Sequence, residues 1–186
     1  MAQRIKMVKY LDSFNTPDYD IRPVEKERIR DIAQIMLDAY VSTPDYEGES
    51  LNDLTKELSM LFRGYFGTYL EDASLALFND SGEPVSFLFT CDFKGEPTLT
   101  YLFTKKGHLG RGYATNLLKA AENALLTLDY DRLILYVSKE NTPALNLYLK
   151  LGFMEIPVNS SAIDREFLEE VRERELSALM AVKEIS

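Results

Sequence analysis

The sequence predicts a single mixed α/β domain, on three observations. Two amphipathic helical runs follow an early alternating segment. Three apolar segments joined by tight turns then read as an antiparallel meander. A glycine turn next carries the last of these segments through a helix into another strand. Strand, turn, helix and strand make a βαβ unit, whose strands should be parallel with a right-handed crossover. At 186 residues and 46% hydrophobic, the chain has enough apolar material for one buried core.

Each element has its own signal. Ile5–Leu11 is a short apolar and basic arm that can pair as a strand, and residues 1–18 are read as an arm ahead of a domain spanning 19–186. Tyr19–Val24 alternates and stops at Pro23, which suits an edge strand. From Glu25 to Tyr40, Ile29, Ile32, Ala33, Met36 and Tyr40 recur at helical spacing. The loop VSTPDYEGES follows. Ser50 and Asp53 then form a capping-box pattern, and Leu54, Leu58, Leu61, Phe62, Tyr65 and Phe66 mark a second amphipathic helix. Ser74–Phe78, the turn NDSGEP and Val85–Cys91 read as a hairpin, and Thr98–Thr104 adds a third strand after DFKGEP.

The clearest helix keeps Ala114, Leu117, Leu118, Ala121, Leu125 and Leu128 on one face. Arg132–Val137 is apolar on both faces, as a central strand covered on both sides should be. In NTPALNLYLKL, Thr142 is the expected N-cap, Pro143 suits the first turn and Gly152 ends the helix. FMEIPV is a further short strand. A charged helix is expected over 164–175, with Phe167 and Val171 at helical spacing, and LSALMAVKEI reads as a closing strand.

Composition limits the function. A net charge of −9 and a pI near 4.7 argue against nucleic acid or an anionic membrane as the main partner. An acidic surface suits a cationic small molecule or peptide, or serves only solubility. One cysteine, Cys91, and one histidine, His108, leave no intrachain disulfide and no cysteine zinc site, so no metal is expected. The N-terminal stretch has no apolar signal-like core, and no apolar run reaches 18 residues, so a cytoplasmic protein is expected.

The stretch from His108 to Leu118, HLGRGYATNLL, sets two glycines around Arg111 at the point where a helix must begin. There the unpaired N–H groups and the helix dipole point outward together, and that arrangement binds phosphates. Glycine lets the backbone approach a phosphate closely, although a plain strand-to-helix turn would use the same residues. A kinase-type loop would need Lys and Ser or Thr after Gly112, and they are missing. A dinucleotide fold would need a third small residue where Thr115 stands and an acid at the end of the next strand, whereas Asp129 and Asp131 precede that strand.

Gly112 and Ala114 occupy the last two fixed positions of the pattern [QR]-x-x-G-x-[GA]. Asn141, Ala144, Tyr148, Gly152 and Phe153 follow in order after one helix and one strand. The pair of motifs resembles the GNAT superfamily of acyl-CoA-dependent N-acyltransferases, and the resemblance covers most of the chain. It implies the GNAT fold: a mixed, largely antiparallel sheet of six to seven strands, four main helices and a splayed central strand pair. One departure is Leu109, where the family has Gln or Arg. The bonds to pyrophosphate come mostly from main-chain N–H groups, so this loss should weaken binding without abolishing it, and Arg111 can supply charge.

The resemblance also implies a mechanism. Acetyl-CoA would lie between the strand ending at Thr104 and the strand Arg132–Val137. Main-chain groups of Leu102, Phe103 and Thr104 would pair with the pantetheine arm. The stretch Leu109, Gly110, Arg111, Gly112, Tyr113 and Ala114 would hold the pyrophosphate, and Asn141 would bond the pantetheine or order the second motif. A main-chain N–H near Phe103 would polarise the thioester carbonyl, and Tyr148 would be general acid to the CoA thiolate, unless it is only a core aromatic. The base is open between Glu96, Asp92 and a water chain. His108 is read as an exposed loop histidine. The loop joining the first two helices carries Asp45, Tyr46, Glu47 and Glu49, and acid plus an aromatic suits a cationic amine, a small molecule or a peptide, with Tyr46 and Glu47 the candidates for binding it, unless that loop is simply solvated. The charged 164–175 segment is a solvated helix, a cover for the cleft or a homodimer contact. The expected activity is N-acetyl transfer to a primary amine. The alternative is an acyl-CoA-binding sensor or interaction module.

Overall fold

The computed structural model describes residues 3–15 and 18–157. The helix expected at 164–175 and the closing strand lie outside the described residues. In chain order the elements are β1 (Arg4–Tyr10), β2 (Asp20–Pro23), α1 (Ile29–Tyr40), α2 (Leu51–Phe62), β3 (Thr68–Tyr69), β4 (Leu75–Phe78) and β5 (Pro84–Phe93). They continue with β6 (Glu96–Thr104), α3 (Tyr113–Thr127), β7 (Arg132–Ser138), α4 (Thr142–Lys150) and β8 (Met154–Ile156). The four expected helices are present. The sheet has eight strands in the order β2-β4-β5-β6-β7-β1-β8, with two-residue β3 beside β5. Among the described residues no helix is long and apolar enough to cross a membrane.

Alternation along the strands builds three layers. Ala76, Phe78, Phe87, Phe89, Cys91 and Phe103 pack with Ile32, Met36, Leu54 and Leu58 of α1 and α2. Leu75, Leu77, Val85 and Leu88 pack with Leu117, Leu118, Ala121 and Leu125 of α3 in a second cluster, which also holds Tyr148 of α4. β7 gives Leu133, Leu135 and Val137 to the second cluster. Leu133, Ile134 and Leu135 are fully buried, whereas Tyr136 is 46% exposed, so the expected cover on both faces is only partial.

The ends of α2 show what fixes a helix. Ser50 accepts from the Asp53 N–H while the Asp53 carboxylate takes the Ser50 N–H, a reciprocal cap. The helix stops at Phe62, with Gly64 at φ +83 just beyond, so Tyr65 and Phe66 fall outside the helix expected to include them. At α4 the cap is Asn141, not Thr142: the Asn141 side chain accepts the Ala144 N–H at 3.3 Å. Asparagine ranks above threonine as a cap, so the helix begins one residue earlier than expected.

The N-terminal arm is β1, a strand inside the sheet. It pairs antiparallel with β7 from Arg4↔Ser138 to Tyr10↔Arg132, and on its other side with β8. Two lysines of this strand are buried because carboxylates from elsewhere meet them. Lys9 Nζ lies 2.7 and 2.8 Å from the two Glu122 oxygens of α3, and Lys6 Nζ lies 3.6 Å from Glu96. The Asp12 N–H also reaches Glu122, at 3.0 Å.

Two irregularities open the centre of the sheet. β6 and β7 are the only parallel pair among the described strands, and their ladder is confined to Thr98↔Ile134 and Leu99↔Leu135. On its other edge β6 pairs with β5 through Phe89↔Tyr101 and Thr90↔Leu99, leaving Thr100 as the extra residue of a bulge. A bulge bends its strand. β6 therefore turns away where its parallel ladder ends, and the two strands splay.

Candidate active site

Where β6 splays away it borders a cleft, a cavity of about 700 Å³. One wall is Leu102, Phe103 and Thr104 of β6, another is the turn from His108 to Thr115, and a third comes from α4. Gly110 and Gly112 hold φ of +74 and +76, which L side chains rarely adopt. This backbone turns the start of α3 outward. Among the described residues no acceptor reaches the N–H groups from Leu109 to Thr115, and the first bond of the helix is Asn116 N–H to the Gly112 carbonyl at 3.1 Å. The Asn116 amide also donates to that carbonyl at 2.8 Å and steadies the turn. A run of free amides at a helix N-terminus, facing a large cavity, fits a diphosphate. Arg111 and Lys106 border the same space. The Leu109 side chain is 71% exposed, so its departure from the family pattern affects little beyond the rim.

His108 differs from the exposed loop residue expected. It is half-buried against the cleft, and its Nδ1 is sealed with no hydrogen-bond partner among the described residues.

The orientation of the β6 main chain follows from ladder alternation. The Lys105 N–H donates to the Val85 carbonyl, so in this register the hydrogen-bonded pairs fall at 105, 103 and 101. The carbonyl of Phe103 also accepts from the Ser86 hydroxyl at 3.2 Å, on the β5 side. The main-chain groups of Phe103 are thus turned to β5, and those of Leu102 and Thr104 face the cleft. Of the N–H groups near Phe103, those of Leu102 and Thr104 are therefore the ones turned away from β5. The Phe103 ring stacks on Phe87 at 5.3 Å between centroids, within the core.

A smaller cavity of about 170 Å³ adjoins the cleft. It shares Tyr40, Leu102, Asn141, Ala144 and Tyr148 with it. Tyr148 is 8% exposed and packs edge-to-face on Phe153 at 5.6 Å. Its hydroxyl makes no hydrogen bond among the described residues. Burial first, and then the nearby Asp45 charge, push its phenol pKa far above the ordinary value, so it is a neutral donor across the physiological range. Besides capping α4, Asn141 donates from Nδ2 to Asp45 at 2.6 Å, tying the α1–α2 loop to the second motif.

The small cavity also holds charged groups against an apolar floor of Met36, Leu54, Leu99 and Leu135. Asp45, Glu49 and Glu57 line it, together with Arg4 of β1. Glu57 accepts the hydroxyl of Tyr101, whose pKa is raised by burial and by that bond. Tyr40 is pushed up as well, chiefly by burial.

The other expected site residues lie elsewhere. Glu96 opens β6, pairs with Lys6 and lines neither cavity. Asp92 accepts the Tyr130 hydroxyl and the Gly95 N–H, as a turn carboxylate does. Tyr46 and Glu47 also miss both linings. The Tyr46 hydroxyl reaches the Glu49 carbonyl at 3.4 Å, and the Glu47 N–H binds the Glu49 carboxylate at 3.0 Å. Of that loop, Asp45 and Glu49, four positions apart, line the small cavity. Arg4, Glu57 and Tyr101 carried no local signal, while Tyr40 was visible only as the end of an apolar stripe. Among the described residues no group of three or more His, Cys, Asp and Glu side chains is placed to hold a metal ion.

Comparison with known proteins agrees with this geometry. A model of the Acetyltransferase (GNAT) family matches residues 31–153. Among solved structures, a GCN5-related N-acetyltransferase from Sphaerobacter thermophilus is similar with a TM-score of 0.64 and 20% identity, over 82% of this chain and 48% of that one. The chain therefore spans about half the length of that relative. The PaiA N-acetyltransferase of Thermoplasma acidophilum, solved in complex with coenzyme A, gives a TM-score of 0.61 at 20% identity, over 78% of this chain and 95% of that one. The ribosomal-protein-S18-alanine N-acetyltransferase of Escherichia coli gives 0.59 at 21%, over 74% and 78%. No curated protein matches the sequence. With a family match over most of its length and a GNAT-like splayed sheet, the chain belongs to the GNAT acetyltransferase family.

Proposed function

We propose that this chain moves an acetyl group from acetyl-CoA to a primary amine by direct attack. One observation carries the reading: free main-chain amides and a buried tyrosine without a hydrogen-bond partner among the described residues face one cleft, and that tyrosine also lines the adjoining acidic cavity. The amides from Leu109 to Ala114 hold the diphosphate, as the helix terminus favours. Leu102 and Thr104 offer main-chain groups to the pantetheine arm. The Leu102 N–H, at the boundary of the two cavities, donates to the thioester carbonyl as charge develops there. Asn141 orders the second motif through its cap and its bond to Asp45. The amine nitrogen attacks the carbonyl carbon, the C–S bond breaks, and the Tyr148 phenol protonates the departing thiolate.

The test is release of free CoA thiol from acetyl-CoA across a panel of primary amines, for wild type and Tyr148→Phe. Wild type should turn over at least one amine, and Tyr148→Phe should lower kcat by about 10²-fold with CoA affinity held. CoA binding with no thiol release for any amine would instead support an acyl-CoA sensor. No thermal stabilisation by CoA would remove both readings.

A further inference from the structure

The small cavity carries a charge pattern that names its ligand. Three carboxylates, Asp45, Glu49 and Glu57, face one guanidinium, Arg4, which leaves the lining two charges negative. The Tyr148 hydroxyl opens into the same space from a residue that is 8% exposed, so the acidic group surrounds a reactive position as well as solvent. We propose that the acceptor is a small dication, a diamine whose reacting ammonium pairs with Asp45 and whose far ammonium lies against Glu57. This rests on the acetyl-transfer reading above.

The two carboxylates are told apart by what holds them. Asp45 is fixed by Asn141, which lines both cavities and caps α4 about two helical turns before Tyr148. Asp45 itself lines only the small cavity, and its bond to Asn141 sets it on the side nearer the junction, where an attacking nitrogen must arrive. Glu57 is fixed by the Tyr101 hydroxyl, and Tyr101, unlike Asn141, lines only the small cavity. Glu57 therefore marks the far, acceptor-only end. Glu49 already takes the Glu47 N–H at 3.0 Å and adds to the field between them.

The protons balance on this arrangement. The reacting ammonium gives one proton to the Asp45 carboxylate, which passes it to solvent. The freed nitrogen attacks the acetyl carbon and the C–S bond breaks. The nitrogen loses a second proton as the amide forms. Tyr148 donates its proton to the sulfur and is reprotonated in turn. Of the three protons on the ammonium, one remains on the amide, one is accounted for on the thiol and one is released.

The experiment compares 1,4-diaminobutane with 1-aminobutane at saturating acetyl-CoA. Wild type should prefer the diamine in kcat/KM by about tenfold or more, and raising the salt should shrink that preference. Glu57→Gln should narrow it to roughly twofold or less, and calorimetry should show weaker 1,4-diaminobutane binding to its CoA complex. Asp45→Asn should lower turnover of both amines by about 10²-fold. Equal use of the two amines by wild type overturns the proposal and leaves acetyl transfer standing. So does a preference for amino acids or peptides, whose carboxylate Arg4 would meet. CoA binding without thiol release from any amine overturns the underlying reading as well. The salt dependence is read on wild type, so the proposal is decided even where a variant fails to fold.

Discussion

Replacing Glu122 with alanine should cost the fold about 3–5 kcal/mol. The figure follows from what surrounds the carboxylate. Its side chain is 1% exposed and that of Lys9 is 7%, with the ammonium 2.7 and 2.8 Å from the two oxygens. Removing the carboxylate leaves a buried cation that, among the described residues, faces Asp12 at 3.5 Å and the Phe14 ring at 5.0 Å. The Asp12 N–H loses its acceptor too. Burial raises the Glu122 pKa despite the opposing pull of Lys9 and that N–H, so desolvation outweighs what the partners return. An apolar pair should therefore serve nearly as well. Lys9→Met combined with Glu122→Leu should cost less than about 1.5 kcal/mol, far below the sum of the single changes.

The chain has no tryptophan, so urea unfolding is best followed by circular dichroism. A loss of 3–5 kcal/mol should appear as a Tm drop of roughly 6–20 °C for a chain of this size. The reasoning is refuted if Glu122→Ala costs under about 1 kcal/mol, or if the two single changes add in the double variant. Either result would mean that β1 is not held to α3 by a desolvated pair.

Three further outcomes follow. The raised Tyr148 pKa keeps the phenol protonated, so kcat/KM should climb with pH as the acceptor ammonium loses its proton and should not fall before about pH 10. An alkaline limb near pH 8 in a pH–rate profile would remove Tyr148 as the acid. Gly67→Ala should destabilise by about 2–4 kcal/mol in denaturant titration, because its new Cβ would stand 2.3 Å from the Asp92 carbonyl oxygen at a φ of +105. Cys91 is fully buried with a raised pKa, chiefly from desolvation, so native protein should show no reaction with a thiol reagent until it unfolds.

The two sides of the site differ in how far the sequence revealed them, and the physical cause is where each requirement falls. The phosphate turn asks something of the main chain: two positive φ values at a helix start, which glycine supplies without strain, so Gly110 and Gly112 stand out in the string. Asn141 and Tyr148 share one helix, and their spacing is local. The acidic cavity asks only for charged and aromatic side chains, and it draws them from β1, α2, β6 and a loop. Arg4 and Glu57 carry no signal of their own in the sequence, and Tyr101 appears there only as part of a strand. The same blindness applies to β1. Lys6 and Lys9 look solvent-facing, and only the distant Glu96 and Glu122 make their burial tolerable. In the sequence, Arg4 belongs to an arm outside the domain. In the fold it is opposite Ser138 and at the rim of the cavity. A change at Arg4 or Glu57 would leave both motifs intact while altering the charge that meets the acceptor. Substrate choice can therefore drift on this scaffold without disturbing the turn that grips the diphosphate.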